Sequence, residues 1–323
     1  IASTEQLFLT GLHLEQYRHA TYNPMDYYEE ALRREPGDVR CNNAMGLLLM
    51  RKGQFAKAEG YFRKSVETLT ERNPNPYDGE PYYNLGWSCL MQDKTDEAYD
   101  AFFKSAWQDA AYYNWAAIDC RRGNFEKALD LIDRSLVRNW HHHKARQLKA
   151  SILRHLGRKE EALDLIAESL KIDRFNMGCR FEQYLLTDDD NVLKEMQRLM
   201  RGAAHVYIEY ALDFAQAGLY DEAINLLEGY AATQSSVYPM VHYALGYCHS
   251  RKGDTVKALE YYKKAEQDDH SYCFPNRIEE VLVLQDAMKE NHKACAKAAY
   301  SLGNFWYAAR QYDNAITCWE ASA

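Results

Sequence analysis

One figure returns seven times along the 323 residues and limits what the chain can fold into. Its first full copy runs Asn43-Ala44-Met45-Gly46, then Gly53-Gln54-Phe55-Ala56-Lys57-Ala58, then Phe62. It returns as Tyr83-Asn84-Leu85-Gly86, Asp96-Glu97-Ala98 and Phe102; as Trp115-Ala116, Gly123-Asn124-Phe125-Glu126-Lys127-Ala128 and Ile132; and as Ala150, Gly157-Arg158-Lys159-Glu160-Glu161-Ala162 and Ile166. Later copies are Ala211, Gly218-Leu219-Tyr220-Asp221-Glu222-Ala223 and Leu227; Leu245-Gly246, Gly253, Ala258 and Tyr262; and Leu302-Gly303, Tyr312-Asp313-Asn314-Ala315 and Trp319. Small residues at both marks let two helices approach closely, and glycine between them suits a helix end with positive φ. Units of this size bury their apolar faces only by stacking on one another.

The figure resembles the tetratricopeptide repeat, or TPR, a helix–turn–helix unit of about 34 residues. The resemblance covers nearly the whole chain and implies an all-α fold, a right-handed α-solenoid over 1–323. Departures from even spacing locate irregular units. The step from Gly46 to Gly86 is 40 residues, the excess falling in the turn-rich Glu71–Gly79. Ala150 to Ala211 is 61 residues, room for a short degenerate unit near 176–202 that breaks at Thr187-Asp188-Asp189-Asp190-Asn191. Gly246 to Gly303 is 57 residues, so an extra helix is expected near 276–290. The first unit, about 4–36, keeps Gly11, Tyr28, Ala31 and Pro36-Gly37.

A narrower likeness runs from Glu80-Pro81-Tyr82-Tyr83-Asn84-Leu85-Gly86 through Asn139-Trp140-His141-His142-His143-Lys144-Ala145-Arg146. It is similar to the TPR array of certain large bacterial proteins of unknown function, in which a mutarotase-like β-sandwich precedes the repeats. That resemblance implies a fragment of a longer chain, whose array packs on and positions an N-terminal domain.

Composition narrows the function. With 39 Lys+Arg against 47 Asp+Glu the formal net charge is −8, which argues against a nucleic-acid partner. No apolar run is long enough to span a bilayer, and the Ile1-Ala2-Ser3-Thr4 start shows no signal peptide. The eight cysteines, Cys41, Cys89, Cys120, Cys179, Cys248, Cys273, Cys295 and Cys318, form no CxxC pair; reduced, mostly buried thiols in a cytoplasmic protein are expected.

No catalytic residue, metal site or cofactor emerges. Consecutive His141-His142-His143 cannot face one ion from a helix, where neighbours point about 100° apart. Asp188-Asp189-Asp190 lacks the alternating oxygens and closing Glu of a calcium loop and reads as a turn with an N-cap. Asp268-Asp269-His270 and His249 have no partnered nucleophile motif. The expected activity is binding, not catalysis.

The TPR resemblance also implies which positions face the concave groove. At the fifth and ninth positions of six units stand Asn43, Leu47, Tyr83, Trp87, Tyr113, Ala117, Gln147, Ser151, Ile208, Leu212, Tyr243 and Tyr247, and at the sixth position Asn84 and Asn114. An amide donates and accepts, so it can pair with the backbone of an extended peptide of any sequence. Facing inward at neighbouring positions are Arg40, Arg51, Arg121, Lys144, Arg154 and Arg251, against only Glu80 and Glu209. This positive excess points to an acidic or carboxylate-terminated protein or peptide segment. Tyr83, Asn84, Trp87, Tyr113, Asn114 and Arg121 are expected to form one patch. The last unit begins near Ala296 and no polar helix follows it, so weak self-association through 300–323, at Ile316 and Trp319, is expected.

Overall fold

Each repeat folds as two helices because its small residues and its turn enforce the same geometry every time. Among the described residues (2–17, 21–105, 109–290 and 295–323) of the computed structural model there are nineteen α-helices and no strand. The chain forms two compact units. In the first, residues 1–111, α1 (Thr4–Gln16) is followed by α2 (Pro24–Arg34), α3 (Val39–Arg51) by α4 (Phe55–Thr70), and α5 (Glu80–Leu90) by α6 (Thr95–Lys104). The second, residues 112–323, contains most of α7 (Asp109–Arg121), then α8 (Phe125–Arg138), α9 (His143–His155), α10 (Lys159–Ile172), α11 (Met177–Thr187) and α12 (Asp190–Met200). It continues with α13 (Ala204–Gln216), α14 (Tyr220–Ala231), α15 (Pro239–Arg251), α16 (Thr255–Gln267), α17 (Ile278–Glu290), α18 (Ala296–Ala308) and α19 (Tyr312–Ser322). Within each unit the second helix of a pair packs on the first helix of the next, as α4 does on α5 and α14 on α15, and successive first helices touch, as α3 does α5 and α13 does α15.

The turn inside a pair is closed by the backbone. Gly53 is left-handed (φ +71°), and the following Gln54 N–H donates back to the Leu49 carbonyl at 2.9 Å. Asp93 (φ +59°) and Arg310 (φ +58°) fill the same place in the second and last copies, where Lys94 and Gln311 donate to Cys89 and Trp306 at 3.0 and 2.8 Å. A left-handed non-glycine residue costs about 1–2 kcal/mol. The closing hydrogen bond and the packing on both sides hold it there.

The interior of a pair is set by one contact. A Cβ added to Gly11, Gly46, Gly86, Gly246 or Gly303 would strike the ring of Tyr28, Phe62, Phe102, Tyr262 or Trp319, at 2.7 Å for Gly86 and 2.5 Å for Gly303. These rings stand sixteen or seventeen residues after the glycine. Where the copy carries alanine instead, at Ala116, Ala150 and Ala211, the residue sixteen later is aliphatic: Ile132, Ile166 and Leu227, all buried. One methyl more on the first helix is matched by a smaller group on the second. Trp319, expected on an association surface, is engaged in this way and also donates to Asn304 Oδ1 at 3.2 Å; Ile316 is half exposed.

Replacing Gly46 with Ala should therefore destabilise the first unit by about 1–3 kcal/mol, because Phe62 is fully buried and cannot yield. Adding Phe62→Leu should recover part of that loss, reproducing the alanine–aliphatic pairing. Urea unfolding of the two single variants and the double variant measures the coupling. Simple additivity would mean that this contact does not set the spacing of the pair.

Candidate inner-face site

The first unit keeps an open inner face. Asn43 lies on α3 and Asn84 on α5; Asn84 Nδ2 donates to Asn43 Oδ1, and Asn43 Nδ2 to Glu80 Oε1, each at 2.9 Å. This ladder borders a cavity of about 300 Å³ whose apolar wall includes Phe8, Leu12, Leu47 and Pro81 and whose polar edge includes Glu15, Arg40, Arg51 and Asp78. Arg40 sits 4.7 Å over the Phe8 ring and pairs with Glu5, whose carboxyl its bond holds below the usual range. Arg51 pairs with Glu15 at 2.7 Å, and Glu15 also accepts from the Tyr28 hydroxyl at 2.9 Å. Tyr83 and Trp87 are half-buried, their ring centroids 5.8 and 6.4 Å from that of Phe102.

The second unit uses its expected inner-face residues on itself. Asn114 is buried and its Oδ1 accepts from Gln216 Nε2 at 2.9 Å. Arg121 Nη2 donates to the Gln216 carbonyl at 2.7 Å, and the turn at Gly218 presses so close that a Cβ there would lie 2.7 Å from Arg121 Cα. Lys144 pairs with Asp213 at 2.7 Å. Thus the end of α13 lies against α7 and α9 and closes their inner face. Tyr113, Ala117, Gln147, Ser151, Ile208 and Leu212 are buried there. The expectation of one groove lined at these positions fails in this unit, because α13 already occupies it.

Arg154 was also expected to face a ligand. It bridges Glu182 Oε2 and Glu222 Oε1, each at 2.6 Å, and Glu182 is fully buried and accepts from Ser151 Oγ at 2.7 Å. Burial opposes the charge on Arg154, but the two carboxylates outweigh it and raise its pKa. Glu222 also meets His155 Nε2 at 2.7 Å; burial pushes its carboxyl up, and the His155 and Arg154 contacts pull it down to about 2. Further along, Tyr243 is fully buried with its hydroxyl donating to Glu266 Oε1 at 2.5 Å, so it belongs to the core; Tyr247 and Arg251 are half-buried on the same helix. The positive excess is therefore largely answered from within, by Glu5, Glu15, Asp213, Glu182 and Glu222.

Elsewhere the chemistry is structural. Glu59, Cys89 and Glu97 bring ligand atoms within 4.8 Å of one another. Glu59 is already bonded by Arg63 at 2.7 Å, Lys94 at 2.6 Å and Gln92 at 2.8 Å, and burial pushes the Cys89 thiol up to about 11. Those donors, two of them cations, hold the Glu59 lone pairs that a metal ion would need. All eight thiols are buried, and burial raises the pKa of each, which disfavours the nucleophilic thiolate. His142 precedes α9, Asp189 caps α12 by accepting from Asn191 N–H at 2.8 Å, and Asp268 pairs with His242 at 2.7 Å. His249 is buried and stacked on Tyr261. No described helix is long and apolar enough to cross a membrane.

Asp213 provides a pH test of the closure. Burial raises its carboxyl to about 6 even though Lys144 opposes the shift. A carboxyl raised on folding contributes stability at low pH that is lost as pH rises from about 4 through about 6. Wild-type stability minus that of Asp213→Asn should accordingly fall between pH 4 and pH 7, by on the order of 1–3 kcal/mol. Thermal melts of both proteins across that range check it; a flat or rising difference would contradict the buried placement.

The tetratricopeptide-repeat family matches residues 26–76, 113–176 and 210–272, more than half of the chain. Among solved structures, a tetratricopeptide repeat protein from Parabacteroides merdae ATCC 43184 is 17% identical with a TM-score of 0.48, over 81% of this chain and 98% of that one. YrrB, described as a TPR protein with an unusual peptide-binding site, is 15% identical with a TM-score of 0.42, over 73% and 97%. MamA is 21% identical with a TM-score of 0.41, over 46% and 86%. The family match, with paired helices repeating along both units, makes this chain a member of the tetratricopeptide-repeat family.

Proposed function

We propose that the chain is a binding scaffold that holds an extended segment of a partner protein on the inner face of its first unit. The observation that carries this reading is the Glu80–Asn43–Asn84 ladder beside the 300 Å³ apolar cavity. Each asparagine amide has two N–H groups and two carbonyl lone pairs, and the ladder engages only some of them. The remainder suit peptide N–H and C=O groups, while the cavity between Phe8, Leu12 and Leu47 takes one apolar side chain. Arg40 and Arg51 are paired internally, so a neutral segment with an apolar anchor fits better than an acidic one. The buried, protonated thiols also favour binding over nucleophilic catalysis.

A fluorescent peptide array, screened with the full chain, identifies a ligand whose affinity is then measured by anisotropy. Asn43→Ala with Asn84→Ala should weaken it on the order of tenfold, as lost hydrogen bonds do. Leu47→Arg should fill the cavity and abolish binding, with helicity unchanged. A ligand indifferent to all three substitutions would place the binding face elsewhere.

A further inference from the structure

We propose a second binding surface, in the second unit, for a basic peptide segment that inserts an arginine between α8 and α10. This groove has a volume of about 550 Å³, within the range of sites that enclose a ligand. Its apolar floor is made by Leu136, Val137, Trp140 and Leu165. Val137 is 84% exposed and Trp140 49% exposed, two apolar side chains left in water three residues apart in sequence. Valine is among the weaker helix formers, so its place on an open face of α8 gives no local benefit.

The charges around that floor select the ligand. Asp133, Asp164 and Glu168 stand at the rim with a single lysine, Lys149, and Lys149 already pairs with Asp133 at 2.7 Å. Asp164 and Glu168 are four residues apart on α10, so they share one helix face as like charges. Arg146, fully buried and 4.1 Å over Trp140, donates to the Trp140 carbonyl at 2.8 Å and to Ser169 Oγ at 3.2 Å, and of the rim carboxylates it meets Glu168 alone, at 3.4 Å. Asp164 is exposed and has no ion pair among the described residues. One more cation at this place relieves the Asp164–Glu168 repulsion. A guanidinium fits better than an ammonium: its fork meets two carboxylates, and its flat face tolerates the apolar floor. The surface shares no residue with the inner face of the first unit, so either can fail without the other.

The test uses the full chain and an acetylated, amidated heptapeptide of glycine, leucine and arginine, with lysine and citrulline counterparts, by isothermal titration. The arginine peptide should bind saturably, the lysine peptide more weakly and the citrulline peptide not at all. Asp164→Asn with Glu168→Gln should weaken the arginine peptide on the order of tenfold. Both positions are exposed, and the helical spectrum should be unchanged. Trp140→Phe, which keeps a ring over Arg146, should weaken binding less. Absence of saturation, equal binding of the citrulline peptide, or full affinity in the carboxylate variant would overturn the proposal. Self-association in sedimentation that those substitutions relieve would assign the groove to a second copy of the chain, and would overturn it too.

Discussion

The contact of a residue without a side chain against a large buried ring underlies the regularity of this molecule. At Gly46 on Phe62, Gly86 on Phe102, Gly246 on Tyr262 and Gly303 on Trp319, the second helix is drawn in until its ring lies on the backbone of the first. That distance fixes where the turn must fall, seven residues after the small position, and the left-handed residue there meets it in every copy from Gly53 to Arg310. It also fixes which face of the first helix remains for the neighbouring pair. The alanine–aliphatic copies show that the constraint is volume rather than any one residue type, as expected of an interior packed to crystal density.

With the pairs fixed, what varies is the use of the first helices' polar faces. In the first unit Asn43, Asn84 and Glu80 bond sideways along neighbouring first helices and leave the cavity beside them open. In the second, α13 lies on α7 and α9, and Gln216 takes the amide and the guanidinium that a bound peptide would otherwise meet. The Arg154–Glu182 pair, whose carboxylate is fully buried, is costly to break, since removing the arginine leaves that carboxylate enclosed without its cation. Rigidity in the second unit is thus obtained from the same side chains that in an open array would serve recognition.

The local part of this was legible in the sequence, and the long-range part was not. Gly46, Gly53, Ala58 and Phe62 lie within seventeen residues, so helix, turn and pair contact all leave marks at fixed spacing. The partners of the inner-face cations leave none. Lys144 finds Asp213 sixty-nine residues on and Arg154 finds Glu222 sixty-eight on. A register count that assumes an ideal array places Arg121 and Asn114 in an open groove, because it carries no information about α13 returning to α7. Tyr243 misled for a different reason. Its position is that of a groove residue, but its hydroxyl finds Glu266 within its own helical pair, and the ring is lost to the core.

The distribution of charge that results bears on what kind of recognition remains. Because the inner-face arginines are paired within the chain, a segment held at the first-unit cavity as proposed would rest on apolar burial and amide hydrogen bonds, which added salt hardly screens. The groove between α8 and α10 is the opposite case, with the exposed Asp164 beside a Glu168 that meets only the buried Arg146, at 3.4 Å, and attraction there decays over a Debye length of about 8 Å at physiological ionic strength. Raising salt should therefore separate the two surfaces on one molecule: ligand retained on the inner face, and ligand released from the α8–α10 groove. A chain of net charge −8 can attract a basic peptide anywhere on its surface, but diffuse attraction of that kind has no defined stoichiometry. Saturation at one peptide per chain, lost with salt, is the signature that distinguishes a formed groove from a charged background.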